Sequence, residues 1–325
     1  MHYLLHSLTH SAAMRRAGLP LALATLAACD DARRPDNPTG PMPAPSFTRG
    51  GNGDNNGRIV FESNAVNDDY DVYSMNPDGT GVTRLTYATG FDGHASLSPD
   101  GKRIVFDSQR DDPRGEIYVM NADGTGVTRL TYSQGIDLSP AWSKDGKRIA
   151  FASSRDAADP GTPDFDIYVM NADGTAATRL AAPGADEMPS WSADGKQIAF
   201  TSDRAKAGAF DVYTMNADGT QVTRITYVEA DEPMVVSWSP GGKQLAFSTR
   251  QVFVSNTDGT QLTQLTSAPP VDADFAPSWS ADAKQIAFVR RRDGKYEIYT
   301  MNADGTGVTR LTNNSDLEGH PAWGR

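Results

Sequence analysis

Acidic residues recur at one position of the sequence, five residues before a tryptophan or its equivalent. Carboxylates that converge on one place hold a strongly negative potential. Such a ring would attract a cation or a basic peptide. In one repeat a two-residue insertion lets either Asp231 or Glu232 take the position. The six candidates for an acidic ring are Asp92, Asp137, Asp186, Asp231, Asp274 and Glu318.

Arginines recur just beyond a phenylalanine in the same repeats, and they offer a second interpretation of the acidic residues. Acid–arginine pairs that repeat along a chain usually lock neighbouring structural units together. The sequence favours such structural pairs, and it leaves open a ring that also binds a cation or a basic peptide. The arginines in question are Arg110, Arg155, Arg204, Arg250 and Arg292.

Two histidines lie three residues before the same tryptophan position. His94 stands next to Asp92, and His320 stands next to Glu318. Two imidazoles and two carboxylates could ligate a divalent metal ion. No other repeat has a histidine here, so the metal site is a secondary hypothesis and no cofactor is predicted.

These residues belong to a repeat of roughly 45 residues, the length of a propeller blade. Each copy contains four short segments of alternating β-branched and aromatic residues, typical of strands. Asp-Gly turns join them, as expected for hairpins, because glycine tolerates the positive φ that such turns need. The tryptophan-type positions are Leu97, Trp142, Trp191, Trp238, Trp279 and Trp323.

The two ends of the repeat region complement each other. The region opens at residues 58–61 with a second strand and closes at residues 321–323 with a first strand. If the last strand joins the blade that the first began, the ring has no open edge. The sequence therefore predicts an all-β fold over residues 57–325: a six-bladed β-propeller of four-stranded blades, closed by its C-terminal strand.

Two motifs resemble the TolB-type (WD40-like) propeller repeat: Trp-Ser-x-Asp-Gly-Lys at 191–196 and Asp-Ile-Tyr-x-Met-Asn-Ala-Asp-Gly-Thr at 166–175. The resemblance covers residues 57–325. It implies a propeller that binds proteins in the bacterial envelope. TolB itself carries an α/β domain before its propeller, whereas a short segment stands in that place here.

The N-terminus resembles a bacterial export signal. Residues 1–28 are predicted to be a signal peptide whose true start is Met14, with a basic start and a short apolar stretch. The sequence Leu-Ala-Ala-Cys at 26–29 resembles a lipobox, which makes Cys29 the expected lipidation site. Residues 29–56, rich in proline, glycine and asparagine, are predicted to be a disordered tether. We expect a membrane-anchored periplasmic lipoprotein, or a protein secreted across the inner membrane.

Composition narrows the functional classes. The chain has 325 residues and a net charge of −11, so nucleic acid and anionic membrane surfaces are poor partners for its body. Its single cysteine precludes an internal disulfide. No Gly-x-Ser-x-Gly elbow, phosphate-binding loop or zinc-protease motif occurs.

The leading hypothesis is a non-enzymatic, monomeric envelope propeller that binds a protein or peptide. The variable loops join the second and third strands of each repeat, and the longest spans residues 154–165. These loops and the acidic ring, at one mouth of the central channel, would form its binding face, since recognition is usually built on loops. One alternative is a metal-dependent glycan lyase or hydrolase, because some propellers of this repeat type resemble oligogalacturonate lyases. Another is a structural spacer. The aromatic candidates for glycan stacking in the loops are Phe165 and Phe210.

Overall fold

A computed structural model describes residues 57–66, 69–157, 164–180, 183–267, 269, 271–314 and 316–324. The predicted signal peptide, Cys29 and the tether lie outside these residues, as do residues 158–163 of the longest variable loop. Within the described residues, no helix has the length and apolar character needed to cross a membrane.

Twenty-four strands form six separate antiparallel sheets of four strands, which confirms the predicted propeller. Blade 1 contains β24(Glu318–Trp323), β1(Ile59–Val66), β2(Asp69–Met75) and β3(Thr83–Arg84). Blade 2 contains β4(Asp92–Leu97), β5(Arg103–Ser108), β6(Glu116–Asn121) and β7(Thr128–Arg129). Blade 3 contains β8(Asp137–Trp142), β9(Arg148–Ser153), β10(Asp166–Asn171) and β11(Thr178–Arg179).

The remaining blades repeat this order from the inner to the outer strand. Blade 4 contains β12(Asp186–Trp191), β13(Gln197–Ser202), β14(Asp211–Asn216) and β15(Thr223–Arg224). Blade 5 contains β16(Val236–Trp238), β17(Gln244–Ser248), β18(Val252–Asn256) and β19(Thr263–Gln264). Blade 6 contains β20(Ala273–Trp279), β21(Gln285–Arg292), β22(Lys295–Asn302) and β23(Thr309–Arg310).

The ring closes as the sequence predicts, because β24 pairs with β1 inside blade 1. Ile59 lies opposite Trp323 in this antiparallel pair. The amide of Gly324 then donates a hydrogen bond of 2.7 Å to the carbonyl of Arg58. Closure therefore satisfies the backbone groups that a free strand edge would expose.

The hydrophobic core lies between blades. One cluster brings Val105 of blade 2 against Trp142 and Phe151 of blade 3. Within a blade, phenylalanines of the second strand face tyrosines of the third, as in Phe200 and Tyr213, whose ring centroids are 5.9 Å apart. These aromatic residues of the strands thus form core.

Tight turns also hold neighbouring blades together. In the turn after β6, Asp123 accepts hydrogen bonds from the amide and hydroxyl of Thr125. Gly124 has a φ of +85°, and a Cβ there would lie 2.7 Å from the carbonyl oxygen of Leu85 in blade 1. Glycine is therefore required both for the turn and for the close approach of two blades.

A bulge interrupts the innermost strands. Five of these strands shift register at this bulge. The bulged residue has a positive φ, which is uncommon outside glycine. These residues are His94, Ser139, Met188, Ala276 and His320.

Candidate functional site

Four of the predicted acidic residues are buried and paired with arginines. Asp92, Asp137, Asp186 and Asp274 are each 0% exposed. These pairs are the structural interpretation that the sequence favoured, and the guanidinium beside each carboxylate offsets its charge inside the blade. The pairs are Asp92–Arg110 at 2.8 Å, Asp137–Arg155 at 2.7 Å, Asp186–Arg204 at 2.8 Å and Asp274–Arg290 at 2.8 Å.

Three of these arginines are the predicted ones, and blade 6 differs. Arg290 takes the close contact with Asp274, while the predicted Arg292 lies 3.6 Å away. The backbone of Arg250 accepts a hydrogen bond of 2.8 Å from the amide of Asp274. Strand β21 extends to Arg292, so the pairing position moves two residues back along the strand.

The other two acidic residues do not follow this pattern. Asp231 is exposed in the loop before β16. Glu318 is buried and accepts a hydrogen bond of 2.7 Å from the side-chain amide of Asn314. Ala65 occupies the position where other blades have arginine. Burial raises the pKa of Glu318 to about 7.

The two histidines are brought together by ring closure. His94 lies on β4 of blade 2 and His320 on β24 of blade 1. Their ring centroids are 4.4 Å apart, and both side chains are buried. Neither of the carboxylates expected beside them, Asp92 and Glu318, makes the polar contacts of the imidazoles.

Two other carboxylates hold the imidazoles. Nδ1 of His320 lies 2.7 Å from Oε1 of Glu62. Nδ1 of His94 lies 2.8 Å from Oδ1 of Asp107. Oε2 of Glu62 also accepts a hydrogen bond of 3.0 Å from the amide of His94, and so joins blades 1 and 2.

Glycines make room for Glu62 between the histidines. Gly93 and Gly319 directly precede His94 and His320. A Cβ on Gly319 would lie 2.5 Å from Oε1 of Glu62, and one on Gly93 would clash with Oε2. The carboxylate therefore sits in a cradle that any larger residue would fill.

The sequence contained a signal for these residues that repeat comparison passes over. Glu62 and Asp107 each follow the phenylalanine of a second strand, and only blades 1 and 2 have an acid there. A Gly-His pair likewise occurs on the inner strands of these two blades alone. The four other residues that follow the phenylalanine are Ala152, Thr201, Ser248 and Val289.

Charges within the cluster shift the pKa values of Glu62 and His94. Burial alone would raise the pKa of Glu62, but the charges of His320 and His94 and their hydrogen bonds lower it to about 2. Burial alone would lower the pKa of His94, but Asp107, Glu62 and Glu187 raise it to about 9. The surrounding carboxylates thus favour positive charge on this imidazole.

A cavity of about 190 Å³ extends along the propeller axis from the two histidines. It reaches Pro99 and Lys144, in the turns that follow the inner strands. Serines, prolines and tryptophans of the inner strands form much of its wall. The cavity therefore lies on the side of the turns that join the first strand of each blade to the second. The histidine cluster forms its opposite end, toward the variable loops.

Three exposed tyrosines mark the variable-loop face. Tyr87 is 58% exposed, and Tyr132 and Tyr227 are each 75% exposed. Each follows an outer strand, in the loop that leads to the start of the next inner strand. Phe165 and Phe210, which the sequence suggested as exposed aromatics, are buried, so that expectation is wrong.

An anchored arginine holds each tyrosine in place. The guanidinium groups of Arg84, Arg129 and Arg224 lie 4.6, 4.5 and 4.3 Å from the ring centroids of Tyr87, Tyr132 and Tyr227, respectively. The same arginines form ion pairs with buried carboxylates of their own blades. Cation–π contact on an immobilised arginine fixes the orientation of an exposed ring.

Comparison with known proteins supports the same architecture. The family model of the TolB β-propeller domain matches residues 160–268 and 234–325. The model of the Tricorn protease N-terminal β-propeller domain matches residues 56–165. Together the two matches extend over the whole of the described propeller.

Solved structures with the same fold have low sequence identity. TolB from Acinetobacter baumannii is 21% identical with a TM-score of 0.68, over 82% of this chain and 66% of that one, just under two thirds of its length. A TolB-type protein from Agrobacterium tumefaciens is 18% identical with a TM-score of 0.63, and the match covers 82% of this chain and 98% of that one. Kuenenia stuttgartiensis hydrazine synthase is 16% identical with a TM-score of 0.65, and the match covers 82% of this chain and 46% of that one.

The fold and the site define a closed six-bladed β-propeller with a buried histidine–carboxylate cluster on its axis. The TolB model matches its repeats over residues 160–325, which is about half of the chain. The chain belongs to the TolB β-propeller family.

Proposed function

We propose that this chain is a non-enzymatic propeller of the bacterial envelope that binds a protein or peptide through its variable-loop face. The three exposed tyrosines of that face carry the proposal. Tyrosine is enriched at protein interfaces because one side chain offers both apolar area and a hydrogen-bonding hydroxyl. The predicted acidic mouth contributes little to this face, since four of its carboxylates are buried in arginine pairs.

The tyrosines are suited to binding because they are already ordered. Tyr87 also donates a hydrogen bond of 3.0 Å from its hydroxyl to the carbonyl of Arg84. A side chain that is fixed before binding loses little conformational entropy on contact. Tyrosine is among the residues that most often contribute a large share of the binding free energy at protein interfaces.

Loops of neighbouring blades support the same face. Arg114 reaches from the loop after β5 to the carbonyl of Gln134 in the loop after β7. The amide of Ser154 in blade 3 donates a hydrogen bond of 2.9 Å to the carbonyl of Ile136. These contacts link the loops of blades 2 and 3 on this face, where recognition is usually built.

The envelope location rests on the sequence and on family membership. The signal peptide, the lipobox cysteine Cys29 and the tether would place the propeller in the periplasm on a lipid anchor. The variable-loop face would then be free to meet a partner. A Cys29→Ser chain is expected to move from the membrane fraction to the soluble fraction of the periplasm.

Site-specific photo-crosslinking in living cells tests the binding face. A photoreactive phenylalanine analogue replaces Tyr132 in the full chain, and in a matched control it replaces Val127 on the opposite face. Val127 is 37% exposed and belongs to the same blade. We expect a discrete crosslinked protein from position 132 and none from position 127. The crosslinked protein is identified by mass spectrometry and purified.

Affinity for that purified partner gives the second readout. The triple variant Tyr87→Ser/Tyr132→Ser/Tyr227→Ser is expected to bind at least about tenfold more weakly than the wild type, as for loss of interface centres. The matched variant Val82→Ser/Val127→Ser/Val222→Ser should bind as the wild type does. Equal crosslinking from both faces would refute the proposed face, and the absence of any crosslink would favour a structural spacer.

A further inference from the structure

Two imidazoles and a carboxylate meet where the closing blade contacts blade 2. One donor atom from each of Glu62, His94 and His320 lies within 4.8 Å of those of the other two, and all three residues are buried. We propose that these three side chains bind one divalent transition-metal ion, of the class of Zn²⁺. This site is independent of the tyrosine face.

The hydrogen bonds of the cluster orient the histidines as metal ligands. Asp107 holds Nδ1 of His94, which leaves Nε2 of that ring as its ligand atom. Nδ1 of His320 faces Oε1 of Glu62, so a metal bound between these two atoms would replace the hydrogen bond that joins them. Nε2 of His94 is buried and has no hydrogen-bond partner among the described residues. Metal-binding histidines characteristically give their other nitrogen to a carboxylate, which fixes the tautomer and the ring orientation.

The charge of the cluster also favours a dication. Glu62, Asp107 and Glu187 are buried, and all three act electrostatically on His94. With neutral imidazoles, these three buried carboxylates would give the cluster a negative charge. A divalent ion offsets most of this charge, and Oε1 of Glu62 becomes its ligand in place of the hydrogen bond to His320.

The donor set selects the class of metal. Two imidazole nitrogens and one carboxylate oxygen suit Zn²⁺, Co²⁺ or Ni²⁺, whereas Ca²⁺ and Mg²⁺ prefer all-oxygen sites. Zinc bonds of about 2.0 Å place tetrahedral ligands about 3.3 Å apart, so the side chains must shift by about 1 Å when the metal binds. The axial cavity, which both histidines line, leaves access for water as a fourth ligand.

The position of the site predicts what the metal does for the fold. Glu62 and His320 belong to the closing blade, and His94 belongs to its neighbour. A metal bound to all three would clamp the ring at its closure. Because a ligand that binds only the folded state stabilises it, the metal should raise the temperature of unfolding.

Metal titration of the untagged full chain tests the site. The protein is stripped with a chelator, dialysed and titrated with Zn²⁺, Co²⁺ or Ca²⁺ by calorimetry. We expect one Zn²⁺ per chain, an intense visible Co²⁺ spectrum of the four-coordinate type, and a higher melting temperature with Zn²⁺ but not with Ca²⁺. His94→Ala and His320→Ala are each expected to weaken Zn²⁺ binding at least about 100-fold, and Asp107→Asn about 10- to 100-fold.

Matched controls come from the same bulge position in other blades. Ser139→Ala and Met188→Ala should bind Zn²⁺ as the wild type does. The proposal is overturned if the wild type takes up no Zn²⁺, if the double variant His94→Ala/His320→Ala takes up as much as the wild type, or if Ca²⁺ binds more tightly than Zn²⁺. If the histidine variants do not fold, the Co²⁺ spectrum of the wild type decides, and a weak six-coordinate spectrum would overturn the proposal.

Discussion

Oε1 of Glu62 and Nδ1 of His320 lie 2.7 Å apart, which joins the first strand of the propeller to the last through a buried polar contact. Their positions are separated by 258 residues. The contact therefore exists only when the ring has closed. The same closure places His94 and His320 side by side, so the candidate metal site and the seam of the propeller are one feature.

Replacement of Glu62 by glutamine should weaken the fold. Glutamine would remove the negative charge that helps to raise the pKa of His94. Only one of its two terminal atoms can accept a hydrogen bond, whereas Oε2 of Glu62 accepts one from the amide of His94 and Oε1 contacts Nδ1 of His320. Removal of one member of a buried ion pair costs about 3–5 kcal/mol. We expect a loss of this size in the free energy of unfolding of the metal-free protein, measured by urea denaturation.

An exposed glutamate supplies the control for this measurement. Glu229 pairs with Lys206 at the surface, where solvent screens the interaction. Glu229→Gln should leave the urea midpoint unchanged. Equal midpoints for Glu62→Gln and the wild type would show that the Glu62–His320 contact does not stabilise closure.

Substitution of Gly319 by alanine should displace the Glu62 carboxylate without removing a charged group. The new methyl group would lie 2.5 Å from Oε1, and overpacking of a buried site costs about 1–3 kcal/mol. We expect a lower melting temperature and weaker Zn²⁺ binding. Gly241 lacks a positive φ and has nothing within 4 Å of an added Cβ, so Gly241→Ala is the matched control and should change neither quantity.

The sequence predicted the features that all six blades share, but it missed the residues that occur only in blades 1 and 2. The tryptophan positions, the turns and the arginine pairs recur, so comparison of the repeats finds them and predicts the ring. Glu62, Asp107 and the two Gly-His pairs depart from the repeat, and their convergence depends on packing between blades 1 and 2. Repeat comparison treats such departures as variation, although here they make the candidate site.

Residue types and loop positions also did not predict which aromatic side chains are exposed. Phe210 lies in a variable segment, yet its backbone exchanges two hydrogen bonds with Ala230, at 2.7 and 2.8 Å, and its ring is buried. Tyr132 follows an outer strand in a similar polar context and is exposed. The difference lies in how each loop folds back on its neighbour, which the pattern of apolar residues does not determine.

Asp137→Asn should destabilise the propeller because Asp137 is fully buried opposite Arg155. The change would leave a guanidinium with a neutral partner, at a cost of about 3–5 kcal/mol in the free energy of unfolding. Asp231→Asn, at the exposed member of the predicted acidic set, should leave stability unchanged. Comparable urea midpoints for the two variants would contradict a structural role for the buried pairs.

Serines of the inner strands provide a graded test of how blades are joined. Ser278 Oγ accepts a hydrogen bond of 2.9 Å from the amide of Trp323 in the next blade, whereas the equivalent contact from Trp142 to Ser96 is 3.5 Å. A buried amide left without a partner costs about 1–3 kcal/mol.

Ser278→Ala should therefore lower the free energy of unfolding by that amount and speed hydrogen exchange at the Trp323 amide. Ser96→Ala should have a smaller effect, because its contact is long and little is lost with the hydroxyl. Equal losses in the two variants, or unchanged exchange at Trp323 in Ser278→Ala, would mean that apolar packing joins the blades and that the serine contacts follow from it.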